Sequence, residues 1–147
     1  DFVTGPGKTA LQPGELITAI TCADMQGYGG SFQKVGQRRS LVISKVCCAA
    51  LVKVDGDSFK DVRLALGGVG PVPSRLTEVE DMLRGQMISR QLIADACVAP
   101  VERVASRSMV AYRKRVVRGF VEAAIEDALV ACGALKPTSI ERELAHA

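Results

Sequence analysis

The spacing of apolar residues changes at Pro73, and this change limits the folds that the chain can adopt. Before Pro73, apolar residues form short alternating runs typical of β-strands, whereas after it they recur every three or four residues, as in amphipathic helices. Strands followed by helices indicate an α+β domain. We therefore predict an antiparallel sheet of three to four strands, followed by a three-helix bundle packed on one face.

The predicted strands are bounded by turn signals. The strongest local signal is Asp55-Gly56, a dipeptide typical of tight hairpin turns, which lies between two apolar runs. The pattern predicts strands over residues 15–22, 31–35, 45–54 and 58–66. Residues 1–14 are rich in glycine and proline and are predicted to form an irregular lead-in. Residues 15–133 are predicted to form the domain itself, and residues 134–147 are predicted to form a tail with one further weak helix.

Serine residues mark the predicted starts of the helices, because a serine hydroxyl can accept a hydrogen bond from the first turn. Ser74, Ser89 and Ser108 are the predicted N-caps, and Gly85 and Gly133 end the first and third helices. Pro100 is predicted to kink or end the second helix. The longest helix carries a predicted apolar stripe, which comprises Met109, Tyr112, Val116, Phe120, Ala124, Ala128 and Cys132. The residues predicted to flank this stripe are Val117, Val121, Ile125 and Leu129.

Composition excludes several classes of function. The formal net charge of +3 is too small to indicate a nucleic acid or an anionic membrane, and no apolar run is long enough for a transmembrane helix. The five cysteines are an odd number without a C-x-x-C pair, and we expect them to be small buried hydrophobes in a reducing cytoplasm. The single histidine, His146, lies in the tail. We therefore predict no catalytic residue and no metal ligand.

The segment Gly5-Pro6-Gly7-Lys8-Thr9 contains part of a phosphate-loop pattern. The full pattern needs a glycine five residues before Gly7, where Phe2 stands, and a preceding strand. We therefore interpret the segment as a linker with a sharp path rather than a nucleotide-binding loop.

Two basic clusters remain. Lys34, Arg38 and Arg39 surround Gly36, so the segment is either a solvated basic loop or a loop that closely approaches an anionic group. Four further cations, which follow Tyr112, begin the longest helix, although the helix dipole disfavours cations there. These cations are Arg113, Lys114, Arg115 and Arg118. They are predicted to form either a solvated face of the helix or a contact with another subunit.

Three motifs together resemble one protein family. They are the Lys34-x-Gly36-x-Arg38-Arg39 cluster, the run from Arg63 to Arg75 that contains Gly67-Gly68 and two prolines, and the Ser108-x-x-x-Tyr112-Arg113 opening of the last helix. They resemble the C-terminal domain of the FAD-binding medium subunit of molybdenum hydroxylases, the xanthine dehydrogenase and carbon monoxide dehydrogenase family. The resemblance extends from Asp1 to about Cys132.

The resemblance implies part of a flavin site. Lys34 matches a lysine that reaches the edge of the flavin ring, and Ile17 matches an apolar residue that packs against the flavin. Arg38 and Arg39 are expected to pair with carboxylates of a neighbouring domain or subunit, or to shape their loop. The FAD would be shared with an N-terminal FAD-binding domain whose glycine-rich loops are absent from this sequence. The chain alone is therefore expected to be an inactive fragment of an oxidoreductase.

The resemblance also implies partners. In the family, a large subunit carries the molybdenum cofactor, a small subunit carries 2Fe-2S clusters, and electrons pass through FAD to an acceptor such as NAD or a quinone. The domain is expected to close the flavin site and to dock these subunits in the cytoplasm, without nucleic acid or membrane. The alternative is a non-catalytic α+β interaction module that does not bind flavin.

Overall fold

The computed structural model of the chain describes residues 2–38 and 41–136, and it begins with a small hairpin. Strand β1 (Val3–Gly5) pairs antiparallel with strand β2 (Lys8–Thr9). Pro6 and Gly7 form the turn between them, and Gly7 has a φ of 67°. The segment that partly resembles a phosphate loop is therefore a hairpin turn, and the predicted lead-in is more regular than the sequence suggests.

The main sheet has the antiparallel strand order β3-β4-β5-β6. Its strands are β3 (Gly29–Val35), β4 (Val46–Asp55), β5 (Ser58–Gly67) and the short β6 (Ser74–Arg75). The predicted hairpin at Asp55-Gly56 is confirmed, because Asp55 pairs with Ser58 and Gly56 has a φ of 57°. The α+β prediction is therefore confirmed.

One face of this sheet forms the core. Burial alternates along β4 and β5, so that every second side chain is buried and its neighbours are only half-buried. This is the pattern of a sheet with one face packed and the other open. The buried side chains of these two strands are Val46, Cys48, Ala50, Val52, Phe59, Val62, Leu64 and Leu66.

The strand predicted over residues 15–22 does not form. Residues 15–25 are irregular, and the side chains of Leu16 and Ile20 are 86% and 83% exposed. Alternating apolar residues favour a strand only where a neighbouring strand offers its hydrogen-bonding edge. Within residues 2–38 and 41–136, no strand pairs with this segment.

The helices follow the sheet in the predicted order. They are α1 (Thr77–Leu83), α2 (Arg90–Ala96) and α3 (Val110–Ala131), with a short 3-10 helix (Ala99–Arg103) that contains Pro100 between the last two. Helix α2 therefore ends before the proline, as predicted. The helix predicted in the tail, together with His146, lies outside the described residues.

One of the three predicted N-caps is confirmed. The Ser89 hydroxyl accepts a hydrogen bond from the Leu92 amide at 3.2 Å. The prediction for Ser74 is wrong because Ser74 lies in β6, which pairs with β5. The prediction for Ser108 is also wrong, because Met109 occupies the cap position with a left-handed φ of 56°. Pairing of β6 with β5 therefore displaces the first cap to Leu76.

The buried stripe of α3 differs in part from the prediction, although Ala124 and Ala128 are buried as predicted. The residues predicted as flanks lie at its centre, whereas Tyr112, Val116 and Phe120 are only half-buried and Met109 is exposed. Because both stripes have the same spacing, the sequence alone could not choose between them. The buried residues of α3 are Arg113, Val117, Val121, Ala124, Ile125, Ala128 and Leu129.

Helix α3 packs across β3 and β4, whereas α1 packs on β5. The close approach of α3 requires Gly29, because a Cβ atom there would collide with the Ala128 carbonyl oxygen. The Gln33 amide also donates a 2.5 Å hydrogen bond to Asp127. These contacts fix β3, the strand that carries Lys34, against the longest helix.

Candidate functional site

An open hollow of about 760 Å³ lies at the end of β3. The chain leaves β3 at Val35 and returns to β4 at Val46, and the described residues between them, 36–38 and 41–45, are here called the β3–β4 loop. Both the end of the strand and this loop line the hollow. The lining residues are Lys34, Val35, Gly36, Gln37, Arg38, Leu41 and Val42.

Lys34 places an unpaired amine beside this hollow. It lies opposite Cys47 of β4 and is exposed, because its neighbours Gln33 and Val35 point toward the helices. Within residues 2–38 and 41–136, no carboxylate pairs with the Lys34 ammonium. Its positive charge is therefore free to contact an anionic group that enters the hollow.

The β3–β4 loop has a defined internal geometry. The Arg38 side chain donates two hydrogen bonds to the Leu41 carbonyl oxygen, one of them from Nε at 3.0 Å. Leu41 has a left-handed φ of 47°. A Cβ atom at Gly36 would collide with the Val42 side chain, so that only glycine fits there. Arg38 therefore shapes the loop, as the sequence suggested, whereas Arg39 lies outside the described residues.

The second predicted flavin contact is Ile17. It belongs to the irregular segment after the first hairpin, and its side chain is 55% exposed. It is not among the residues that line the Lys34 hollow. The described residues therefore do not bring the two predicted flavin contacts into one site, and the assignment of Ile17 stays a prediction.

The cations that begin α3 separate into different environments. Lys114 lies 3.3 Å from Glu102 of the 3-10 helix, whereas Arg115 and Arg118 are exposed. Arg113 is only 8% exposed and donates hydrogen bonds to backbone carbonyls. Arg113 is thus neither on a solvated face nor at a subunit contact. Sequence reasoning missed this role, and the available signal was its place on the same helical face as Val117 and Val121.

The open face of the sheet carries one polar cluster, centred on Asp61. The Tyr28 hydroxyl donates a 2.5 Å hydrogen bond to Asp61, and Arg63 and Arg84 donate at 3.1 and 3.3 Å. Burial favours the neutral carboxyl, but these hydrogen bonds outweigh it and lower the pKa of Asp61. The hydrogen bond to Asp61 likewise raises the pKa of Tyr28. The cluster links Tyr28, which directly precedes β3, to Asp61 of β5 and to Arg84, which follows α1.

The cysteines do not form a metal site or disulfides in the described part of the chain. Cys48 and Cys97 are buried, and burial raises the pKa of each thiol to about 12. These two thiols behave as small core hydrophobes, as predicted. The prediction is wrong for Cys22, which is exposed in the irregular segment. No helix among residues 2–38 and 41–136 is long and apolar enough to span a membrane.

These elements define an α+β domain in which helices cover one face of an antiparallel sheet and a lysine-lined hollow lies at a strand end. The chain belongs to the CO dehydrogenase flavoprotein C-terminal domain family, whose sequence profile matches residues 31–128. This match includes the Lys34 hollow, the Gly67-Gly68 run and most of α3.

Curated relatives are subunits of dehydrogenases. The chain is 35% identical over 95 residues to the glyceraldehyde dehydrogenase medium chain of Sulfolobus acidocaldarius. These 95 residues cover 65% of this chain and 34% of the relative. It is 27% identical over 138 residues to the xanthine dehydrogenase FAD-binding subunit of Escherichia coli O157:H7, covering 90% of this chain and 47% of the relative. The chain thus spans about half or less of the length of these relatives.

Solved structures share the fold. Reconstituted CO dehydrogenase from Oligotropha carboxidovorans superposes with a TM-score of 0.80 at 22% identity, covering 89% of this chain and 47% of the matched chain. Quinoline 2-oxidoreductase from Pseudomonas putida 86 gives a TM-score of 0.76 at 24% identity, covering 91% and 47%. Because identities this low demonstrate the fold alone, function must be argued from the residues of this chain.

Proposed function

We propose that this chain forms the C-terminal domain of the FAD-binding subunit of a molybdenum hydroxylase of the xanthine and CO dehydrogenase type. The observation that carries the proposal is the Lys34 ammonium on the rim of an open hollow, which forms no ion pair with the described residues and lies in a segment that matches the family profile. The domain would close one side of a flavin site whose other side belongs to an N-terminal FAD-binding domain.

The residues around the hollow fit the edge of a flavin ring. The opening is wide, Gly36 removes one side chain from the wall, and Lys34 offers a hydrogen-bond donor with a fixed charge. FAD, when bound, supplies the capacity to accept electrons and pass them to a final acceptor. Lys34 would stabilise the negative charge that develops on the ring during reduction, because a preorganised cation needs little rearrangement.

Ile17 would supply an apolar surface for the flavin. Its half-exposed side chain and its exposed neighbours Leu16 and Ile20 lie in a segment that makes no strand contacts among the described residues. Large apolar side chains in such numbers favour contact with another polypeptide surface. We therefore infer that this segment packs against the N-terminal FAD-binding domain and brings Ile17 to the flavin there.

The same domain would dock the other subunits of a cytoplasmic complex. One is a large subunit with the molybdenum cofactor, and the other is a small subunit with 2Fe-2S clusters. FAD would receive electrons from these clusters and pass them to an acceptor such as NAD or a quinone. The support for these partners is that relatives with this fold occur in CO dehydrogenase and quinoline 2-oxidoreductase.

The test of this function is the midpoint potential of the flavin in the native protein that contains this chain. Lys34→Met should lower the potential by roughly 30 mV, which corresponds to about 1.4 kcal/mol of lost charge interaction for two electrons. Lys34→Arg should retain most of the wild-type potential. Lys60→Met, which removes an exposed lysine on β5, is the matched control and should leave the potential unchanged.

Two results would contradict the proposal. An unchanged potential in Lys34→Met would remove Lys34 from the flavin site. A native protein without flavin, iron–sulfur or molybdenum partners would instead favour the interaction module that does not bind flavin.

A further inference from the structure

A single buried guanidinium joins three segments of the chain. Arg113 Nη1 donates hydrogen bonds to the carbonyl oxygens of Lys45 and Gly68, the latter at 2.5 Å. Its Nε donates to the carbonyl oxygen of Ser108 at 3.0 Å. Lys45 ends the β3–β4 loop, Gly68 follows β5, and Ser108 precedes α3. Segments that are far apart in the sequence therefore meet at this one side chain.

The meeting point is sterically tight. Gly68 has a φ of 76°, and a Cβ atom there would lie 2.7 Å from the Lys45 carbonyl oxygen. The Lys45 amide in turn donates a 2.7 Å hydrogen bond to the Val35 carbonyl oxygen, which closes the base of the β3–β4 loop. The end of the loop is thus held between β3 on one side and Gly68 with Arg113 on the other.

Arg113 suits this position because a guanidinium presents several donors in a fixed plane and stays charged at all relevant pH values. In the described residues its hydrogen bonds go to carbonyl oxygens, and no carboxylate forms an ion pair with it. A lysine has a single ammonium at the end of a flexible chain. It could not serve the three carbonyl oxygens in the same geometry.

We propose that Arg113 is a positioning residue for the Lys34 hollow. By fixing Lys45 against Gly68, it holds the β3–β4 loop in the conformation that places Gly36, Arg38 and Val42 around the hollow. Lys34 then faces a wall of constant shape. This inference rests on the proposed function only where it extends to the flavin. The effect on the loop itself is a property of this chain.

The first measurement is amide hydrogen exchange of the β3–β4 loop in the native protein. Arg113→Met should accelerate exchange at the Lys45 amide by about tenfold or more, because hydrogen bonds from charged donors are among the strongest in proteins. Arg113→Lys, which keeps the charge, should show most of the same acceleration. Arg115→Met, on the exposed side of the same helical turn, should match the wild type.

The second measurement is the flavin midpoint potential of Lys34→Met, Arg113→Lys and the double variant. If Arg113 acts through the hollow, Arg113→Lys lowers the flavin midpoint potential. The double variant then lowers the potential by no more than Lys34→Met does alone. The mild Arg113→Lys change keeps this measurement possible if Arg113→Met does not fold.

The outcomes separate the two proposals. In one outcome, Lys34→Met shifts the flavin midpoint potential, whereas both Arg113 variants leave the potential and the loop exchange rates unchanged. This outcome would overturn the positioning role of Arg113 and leave the proposed function standing. No shift in Lys34→Met would refute the proposed function. The amide hydrogen exchange rates of the β3–β4 loop would then decide by themselves whether Arg113 fixes the loop. Wild-type exchange rates in both Arg113 variants would refute the positioning role of Arg113.

Discussion

Glu80 is the buried carboxylate on which the junction of α1, β5 and β6 depends. It is 2% exposed, and its Oε1 accepts hydrogen bonds from the Leu64 amide at 2.8 Å and from Arg75 Nε at 2.7 Å. Its Oε2 accepts a second bond from Arg75 at 2.7 Å. Glu80→Ala removes all three bonds and leaves the Leu64 amide, which is buried, without an acceptor.

The expected loss in the free energy of unfolding is about 2–4 kcal/mol. Breaking a buried ion pair costs about 3–5 kcal/mol, but the Arg75 side chain is 51% exposed and water will solvate it after the substitution. The orphaned Leu64 amide accounts for about 1–3 kcal/mol of the loss. Glu80→Gln keeps an acceptor for Leu64 and should lose about half as much.

Urea unfolding of the 147-residue chain measures this difference. The matched control is Asp81→Ala, which removes the neighbouring carboxylate from an exposed pair with Arg84 and should cost less than about 1 kcal/mol. The reasoning is refuted if Glu80→Ala and Asp81→Ala destabilise equally. It is also refuted if Glu80→Gln, which keeps an acceptor for the Leu64 amide, loses as much stability as Glu80→Ala.

Two further predictions follow from the geometry. Because the pKa of Asp61 is lowered in the folded protein, its contribution to stability is present above the unfolded pKa of about 3.9 and disappears as pH falls through the folded value. Asp61→Asn should therefore flatten the acid limb of a stability curve, and a limb as steep as in the wild type would contradict this. Gly68→Ala should destabilise more than Gly56→Ala, because both glycines have positive φ but only Gly68 lacks space for a Cβ. Equal melting temperatures for the two variants would show that the contact with Lys45 is unimportant.

The local signals predicted much of the fold. The Asp55-Gly56 turn, the two long strands beside it and the Ser89 cap depend on neighbours in the sequence, and all of them are confirmed. The failures are of another kind. The strand at residues 15–22 needed a partner that the described residues do not provide, and the cap at Ser74 yielded to the pairing of β6 with β5.

The candidate site divides in the same way. The sequence predicted Lys34 as a flavin contact, which stays a prediction. The structure places Lys34 exposed on an open hollow, as the local alternation of β3 could anticipate. The sequence could not anticipate that Ile17 is not among the residues that line this hollow, because the path of an irregular segment depends on what covers it.

The sequence by itself determined the long hairpin and the order of strands before helices, because strand and helix periods and turn residues are local properties of the chain. Its motifs also determined the family. Only the tertiary structure decided which face of α3 is buried, and with it the burial of Arg113 beneath the base of the β3–β4 loop. The physical reason is that two stripes of equal spacing differ only in what they contact. The stripe that packs on β3 and β4 buries Val117, Val121, Ile125 and Leu129. The same packing brings the Arg113 guanidinium to the backbone carbonyls of Lys45 and Gly68, which no sequence pattern displays.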